Sequence, residues 1–170
     1  ELGCRTNYEY DPNTGDLLDT YKNTTQNPSI KYGSTFYTYF ATDLVKTITD
    51  PNGNVTTFSY DTQGNLASIA PPLLPPTTYD LYDAVGNLKQ VTAPGESAGR
   101  VTTLNYDKRS RLISKTYPPA KTGDTALSET FVYDGLGYLL SHTDTAGNVI
   151  TNEYNDMGLL KKATKTLALE

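Results

Sequence analysis

Apolar and polar residues alternate along this chain in short bursts, and each burst closes on a tyrosine. From Gly53 to Tyr60 the alternation has the period of two that marks a half-buried strand. Asp61 to Gly64 interrupts it as a turn, and Asn65 to Ile69 resumes it as a return strand. The same unit recurs. Tyr10, Tyr39, Tyr60, Tyr82, Tyr106, Tyr133 and Tyr154 follow one another at 29, 21, 22, 24, 27 and 21 residues. Such spacing holds two short strands and two turns, and several of these in series predict an all-β chain of tandem hairpins. No stretch keeps a helical period, because Gly, Pro or Asn breaks each one.

The turn residues specify the hairpin. Asp follows five of the tyrosines, at Asp11, Asp61, Asp83, Asp107 and Asp134. Gly64, Gly86 and Gly137 lie three residues beyond their Asp, and Gly158 fills that place after Asn155. An Asp in the first position accepts a hydrogen bond from the backbone N–H two residues on, and a Gly in the fourth takes a positive φ freely. A type I turn closed by a left-handed residue then pairs the Asp with the residue after the Gly. That geometry sets Tyr60 opposite Leu66, Tyr82 opposite Leu88, Tyr106 opposite Leu112, Tyr133 opposite Leu139 and Tyr154 opposite Leu160. These repeat residues are the structural site that the sequence predicts. On the other, wetter face the same register pairs Ser59 with Ala67, Leu81 with Lys89, Val132 with Leu140 and Glu153 with Lys161.

A second glycine stands seven residues before the tyrosine, at Gly3, Gly53, Gly99 and Gly147, in the turn between units. Units are expected near 3–24, 35–50, 53–70, 79–94, 99–117, 130–144 and 147–164, within a single segment 1–170. Three units deviate. The turn after Tyr10 is one residue longer and moves the partner to Leu17. The fourth turn residue is Asp43 after Tyr39 and Ser110 after Tyr106, so both turns are expected to be looser or differently shaped. Longer connections are expected at 23–34, 71–78 and 118–128. The run from Pro71 to Pro76 cannot lie in a central strand and reads as a surface loop rather than a segment for a proline-binding module.

This pattern of Gly, Thr, Tyr-Asp, Gly and Leu resembles the RHS/YD-repeat family. It is fullest at 53–66, is carried well by 99–112 and 147–160, and extends over residues 8–164. The resemblance implies a curved, spiralling antiparallel strip that walls a shell. Bacterial members hold a C-terminal toxin, insecticidal toxin complexes use a similar cocoon, and teneurins carry one at the cell surface. By that resemblance the chain is a non-catalytic structural segment, secreted or at the cell surface, with the rest of its parent shell and an enclosed toxin domain as partners. The alternative is an extracellular adhesion module for glycans or a cell-surface partner. Exposed tyrosines off the ladder position (Tyr8, Tyr21, Tyr32, Tyr37, Tyr79, Tyr117 and Tyr138) would favour it.

Composition narrows the chemistry. Among 170 residues, 19 acidic against 14 basic give a net charge of −5, with no basic stripe for nucleic acid. The densest basic cluster, Lys108 to Arg111, falls in a turn and reads as solvated. No apolar run is long enough for a membrane-spanning helix. Cys4 and His142 are the only residues of their kinds, so no internal disulfide, transition-metal site or Ser-His-Asp set is expected. The turn-capping role accounts for the repeated Asp residues without catalysis, and no cofactor is implied. Outer strand edges near Tyr10 and Leu160 are expected to pair with further strands, including those of another copy.

Overall fold

A computed structural model describes residues 3–95, 100–121 and 123–168. Gly99 lies outside the described residues. The described chain forms fourteen strands in seven hairpins. They are β1 (Cys4–Tyr10) and β2 (Leu17–Thr24), β3 (Tyr32–Tyr39) and β4 (Val45–Thr49), then β5 (Val55–Tyr60) and β6 (Leu66–Ala70). There follow β7 (Thr77–Tyr82) and β8 (Leu88–Ala93), β9 (Arg100–Tyr106) and β10 (Leu112–Thr116). The last two hairpins are β11 (Ser128–Tyr133) with β12 (Leu139–Thr143), and β13 (Val149–Tyr154) with β14 (Leu160–Thr166). All belong to one antiparallel sheet in which the strands follow chain order. The chain divides into two compact units, residues 1–78 and 79–170.

Within the hairpins Tyr10 opposes Leu17, Tyr39 opposes Val45 and Tyr60 opposes Leu66. Tyr106 opposes Leu112, Tyr133 opposes Leu139 and Tyr154 opposes Leu160. One step from the tyrosine the register shifts. Ser59 pairs with Ser68 rather than Ala67, Val132 with Ser141 rather than Leu140, and Glu153 with Lys162 rather than Lys161. A bulge on the return strand is the reason: two residues, the Leu and its successor, oppose one tyrosine. The sequence reading carried a plain ladder past the turn and so was off by one on the second face. Val132 apart, the residues paired at this step are polar. The hydroxyls of Thr38 and Thr47 share a 2.6 Å hydrogen bond, those of Ser59 and Ser68 one of 2.7 Å, and Asn105 Nδ2 donates to Ser114 Oγ at 3.0 Å.

Pairing between hairpins begins only past the bulge. Asp19 meets Phe36, Thr47 meets Thr57 and Ser68 meets Thr78 in the first unit. In the second, Gln90 meets Thr103, Ser114 meets Thr130 and Ser141 meets Thr151. Each first residue stands two past the Leu (or its Val counterpart), so the strands of neighbouring hairpins part toward their tyrosine turns.

Among the described residues no hydrophobic side chain is buried, and Asp19 is the single buried polar one. A repeating Tyr–Leu pair on one face is the sequence pattern of a packed core. Tyr39, Tyr60, Tyr82, Tyr106, Tyr133 and Tyr154 are instead half-buried, and Tyr10 is exposed. A single layer has no second layer to bury them against. The connection at Pro71–Pro76 is a turn with Leu73 fully exposed at φ 61°. A left-handed residue there interrupts the polyproline conformation that a proline-binding module would read.

Candidate functional site

The regular feature of the molecule is the row of turns after each tyrosine. At Asp61 the backbone closes through Asp61 N–H to Asn65 O at 2.8 Å and Gly64 N–H to Asp61 O at 3.1 Å. Gly64 sits at φ 86°, where a Cβ would meet the following carbonyl. The Asp61 carboxylate organises the loop: Oδ1 accepts from the N–H of Gln63 and of Asn65, each at 2.8 Å, and Oδ2 accepts Asn65 Nδ2 at 2.9 Å. Asp83 with Asn87 repeats this set, as do Asp50 with Asn54 and Asp144 with Asn148 in turns between units. Asp134 caps its turn through the N–H of Leu136, Gly137 and Tyr138, and Asn155 does so through Met157 and Leu159.

The two turns without glycine keep the same bonds. Phe40 N–H reaches Leu44 O at 2.9 Å, and Asp107 N–H reaches Arg111 O at 3.0 Å. Asp43 and Ser110 each take φ 59°, so the expected change of shape does not occur and the left-handed conformation is retained. At Asp107 the asparagine is replaced by Arg111, whose Nε and Nη2 lie 2.7 and 2.6 Å from the carboxylate.

Side-chain amides and backbone N–H groups stabilise the ionised carboxylate. The hydrogen bond from the neighbouring asparagine is the leading reason that Asp50, Asp61, Asp83 and Asp144 lie below the usual carboxylate range, and Arg111 plays that part for Asp107. The fifth-position asparagine was missed from sequence as a functional residue. Its signal was present, since Asn54, Asn65, Asn87 and Asn148 all stand four residues past their Asp.

That same fifth position also reaches the next hairpin. Leu44 Cδ1 lies 3.9 Å from where a Cβ on Gly64 would stand, and Asn87 Nδ2 donates to Ser110 Oγ at 3.0 Å. Arg111 Nη1 donates to Asp134 O at 2.9 Å, and Arg109 donates to the Gly135 carbonyl. The basic cluster read as a solvated turn is therefore a clasp. Tyr138 lies over Gly158, where a Cβ would stand 2.5 Å from its Cζ, and stacks on Tyr154 with ring centroids 4.9 Å apart. The parted strands behind these contacts leave carbonyls for tyrosine to satisfy. Tyr39 donates its hydroxyl to Leu17 O at 2.9 Å, and Tyr154 donates to Leu139 O at 3.0 Å, joined there by Asn152 Nδ2. Burial pushes the phenols of Tyr39 and Tyr106 upward.

Open grooves lie between neighbouring turns, as at Phe40, Leu44, Tyr60 and Gln63, where Phe40 meets Tyr60 edge to face at 6.0 Å. Three of the seven off-ladder tyrosines are committed within the chain. Tyr117 donates to Glu129 at 2.9 Å, Tyr21 lies under Lys31, and Tyr138 covers Gly158. Tyr8 and Tyr32 are the two that are exposed. His142 stacks on Phe131 at 4.7 Å on β12 and faces Glu129 at 3.7 Å, and no group of three metal-ligating side chains occurs among the described residues.

The description RHS Repeat matches residues 41–72 and 82–119, which spans the second to the fifth tyrosine turn. Within those bounds the hairpins are similar to RHS repeats. No curated protein sequence matches the chain. Among solved structures, one of TcdB2-TccC3-Cdc42 is similar over 98% of this chain, with a TM-score of 0.71 and 19% identity. One of TcdB2-TccC3-TEV is similar over 95%, with a TM-score of 0.68 and 20% identity. One of TcdB2-TccC3 is similar over 95%, at 0.66 and 18%. This chain spans 9%, 9% and 10% of those chains respectively, and at such identities the likeness is one of fold.

Two outcomes test this geometry. Gly86 has open space around its α-carbon, so Gly86→Ala should cost only the left-handed backbone term, about 1–2 kcal/mol. Gly158→Ala should cost more, by about 0.5–1.5 kcal/mol for the disturbed ring stack. In a Tyr138→Ala background the two should become equal in urea unfolding; a Gly158 penalty unchanged by removing the ring would contradict the clasp. The second outcome concerns pH. The native carboxyls are lowered, so their contribution is complete above the ordinary value of about 3.9 and is lost as pH falls through the native values. Asn65→Ala should bring the Asp61 titration back up toward the ordinary value, as read by carboxyl NMR. An unmoved titration would remove the amide from its role.

Proposed function

We propose that this chain is a non-catalytic wall segment of an RHS-repeat shell, and that the shell encloses or presents a toxin domain. The observation that carries the reading is the recurring joint. The bulge and the fifth-position contact recur along the sheet, joined at Tyr39 and Tyr154 by a tyrosine–carbonyl bond, and commit side chains to the neighbouring hairpin rather than to a ligand. Similarity over almost the whole chain to the TcdB2-TccC3 structures supports the same role. On this reading the turns are structural throughout: Tyr60, Asp61, Gly64 and Leu66, with their counterparts in each repeat, set the register of a wall. Further hairpins of the shell pair along its outer strands. The partners are the remaining repeats and the enclosed domain, and the setting is secreted or at the cell surface. Adhesion to glycans has weaker support, because Tyr21, Tyr117 and Tyr138 are spent on internal contacts.

The test is protease protection in a protein that carries this segment within a longer repeat array followed by a reporter domain. The reporter should resist a protease that cuts it rapidly when expressed alone. Deleting the hairpin 147–164 should open the wall and expose it. Equal cleavage of the reporter with and without the array would overturn the reading.

A further inference from the structure

The first hairpin breaks the pattern of the others at one place. The position before the tyrosine pairs with the position two past the Leu, and in most hairpins this joins neutral polar or oppositely charged residues: Thr38 with Thr47, Ser59 with Ser68, Asn105 with Ser114, Glu153 with Lys162. In the first hairpin it joins two acids, Glu9 and Asp19. Like charges directly opposite are destabilising, and burying a carboxylate costs more still. Asp19 is nevertheless 2% exposed, and its Oδ1 has no hydrogen-bond partner. Gly33, at φ 61°, lies at the start of β3, two residues past Lys31, which reaches both acids. Lys31 Nζ stands 3.0 Å from Asp19 Oδ2 and 2.6 Å from Glu9 Oε2, with the Tyr21 ring 4.4 Å away. Ser34 Oγ donates to the same Asp19 oxygen at 3.5 Å.

We infer that Lys31 and Asp19 condense to an intramolecular amide, with Glu9 as the catalytic proton shuttle. The amine and the carboxyl are held in van der Waals reach on neighbouring parts of a folded chain. Effective molarities of such pairs reach about 10⁵–10⁸ M, enough to drive a condensation that water would otherwise reverse. The burial of Asp19 favours the product, since a neutral amide replaces a carboxylate whose desolvation is costly. The unpartnered oxygen also changes from half of a carboxylate to an amide carbonyl.

The step balances without any further reactant. A proton passes from the Lys31 ammonium to the Asp19 carboxylate along the 3.0 Å hydrogen bond, leaving an amine and a carboxylic acid with no change in net charge. Nζ attacks Cγ and a C–N bond forms. Glu9 takes a proton from Nζ and delivers it to the departing hydroxyl, the C–O bond breaks, and water leaves. Glu9 returns to its carboxylate. The hydrogen bond that Lys31 donates to Glu9 holds its amine above the usual ammonium range, so the ammonium is the resting form and the bond forms slowly after folding. The result is a covalent tie between β2 and the connection into β3, in a chain whose single cysteine allows no disulfide within it.

Intact-mass spectrometry of the folded chain, held at neutral pH for days, tests the inference. The expected mass is lighter than the sequence mass by one water, and digestion should yield one branched peptide joining the segments that contain Asp19 and Lys31. Lys31→Arg should restore the full mass, and Glu9→Gln should slow the loss of water about 100-fold or more. A chain that keeps its full mass would overturn the inference. So would a water loss that persists in Lys31→Arg, which would mark a cyclic imide at an aspartate, and so would an unchanged rate in Glu9→Gln.

Discussion

The residue that most constrains this molecule is the left-handed one that ends each tyrosine turn, held beneath an aspartate in most of them. Its positive φ makes the loop three residues rather than four between the closing pair, and the carboxylate fixes that choice by gathering the N–H groups two and four residues on. A slip of one residue would send every side chain of the return strand to the other face. From this loop follow the tyrosine opposite its leucine, then the bulge, then the polar pairs beyond it. The constraint survives loss of its usual residue: Asp43 and Ser110 adopt the same φ where glycine is missing. The surrounding hydrogen bonds therefore dictate the conformation, and the glycine lowers its cost.

A sheet with no buried apolar side chain must find stability elsewhere than in a core. Half-buried residues still contribute, at about 1 kcal/mol for each large side chain half removed from water. The rest comes from contacts between one hairpin and the next, in the manner of repeat proteins whose stability is a sum of units and nearest-neighbour joints. The joints here are not interchangeable. Asn87 meets a hydroxyl, Arg111 meets carbonyls, and Tyr138 needs a residue with no Cβ at 158. Such matching specifies which hairpin follows which, which a simple tandem repeat would leave open.

The turn chemistry was legible in the sequence because Asp and Gly act locally, and their spacing carries the whole instruction. Strand number and the tyrosine pairings followed from it. The bulge at the turn's left-handed residue was legible, but the further one at the Leu and its successor was not, because no residue type marks it. The clasp residues were hidden for a related reason. Leu44, Asn87, Arg111 and Tyr138 share a position but no chemistry, so they form a pattern only when the neighbouring turn is in view. The half-exposure of the tyrosines was misjudged because a repeating apolar pair looks the same whether or not a second layer covers it. The acid pair at Glu9 and Asp19 could have been flagged, had the register one step past the turn been known.

Hydrogen exchange resolved to single amides tests most directly whether the aspartate-capped turns hold the sheet in register. The N–H of Asp61 and Asn65, with those of Asp83, Asn87, Asp144 and Asn148, are each donated within a turn. They should exchange as slowly as the mid-strand amides of Phe58 and Ile69, which face each other across one hairpin. Turn amides exchanging at the rate of an unstructured peptide, beside strands that remain protected, would show that register is set elsewhere and would contradict the account.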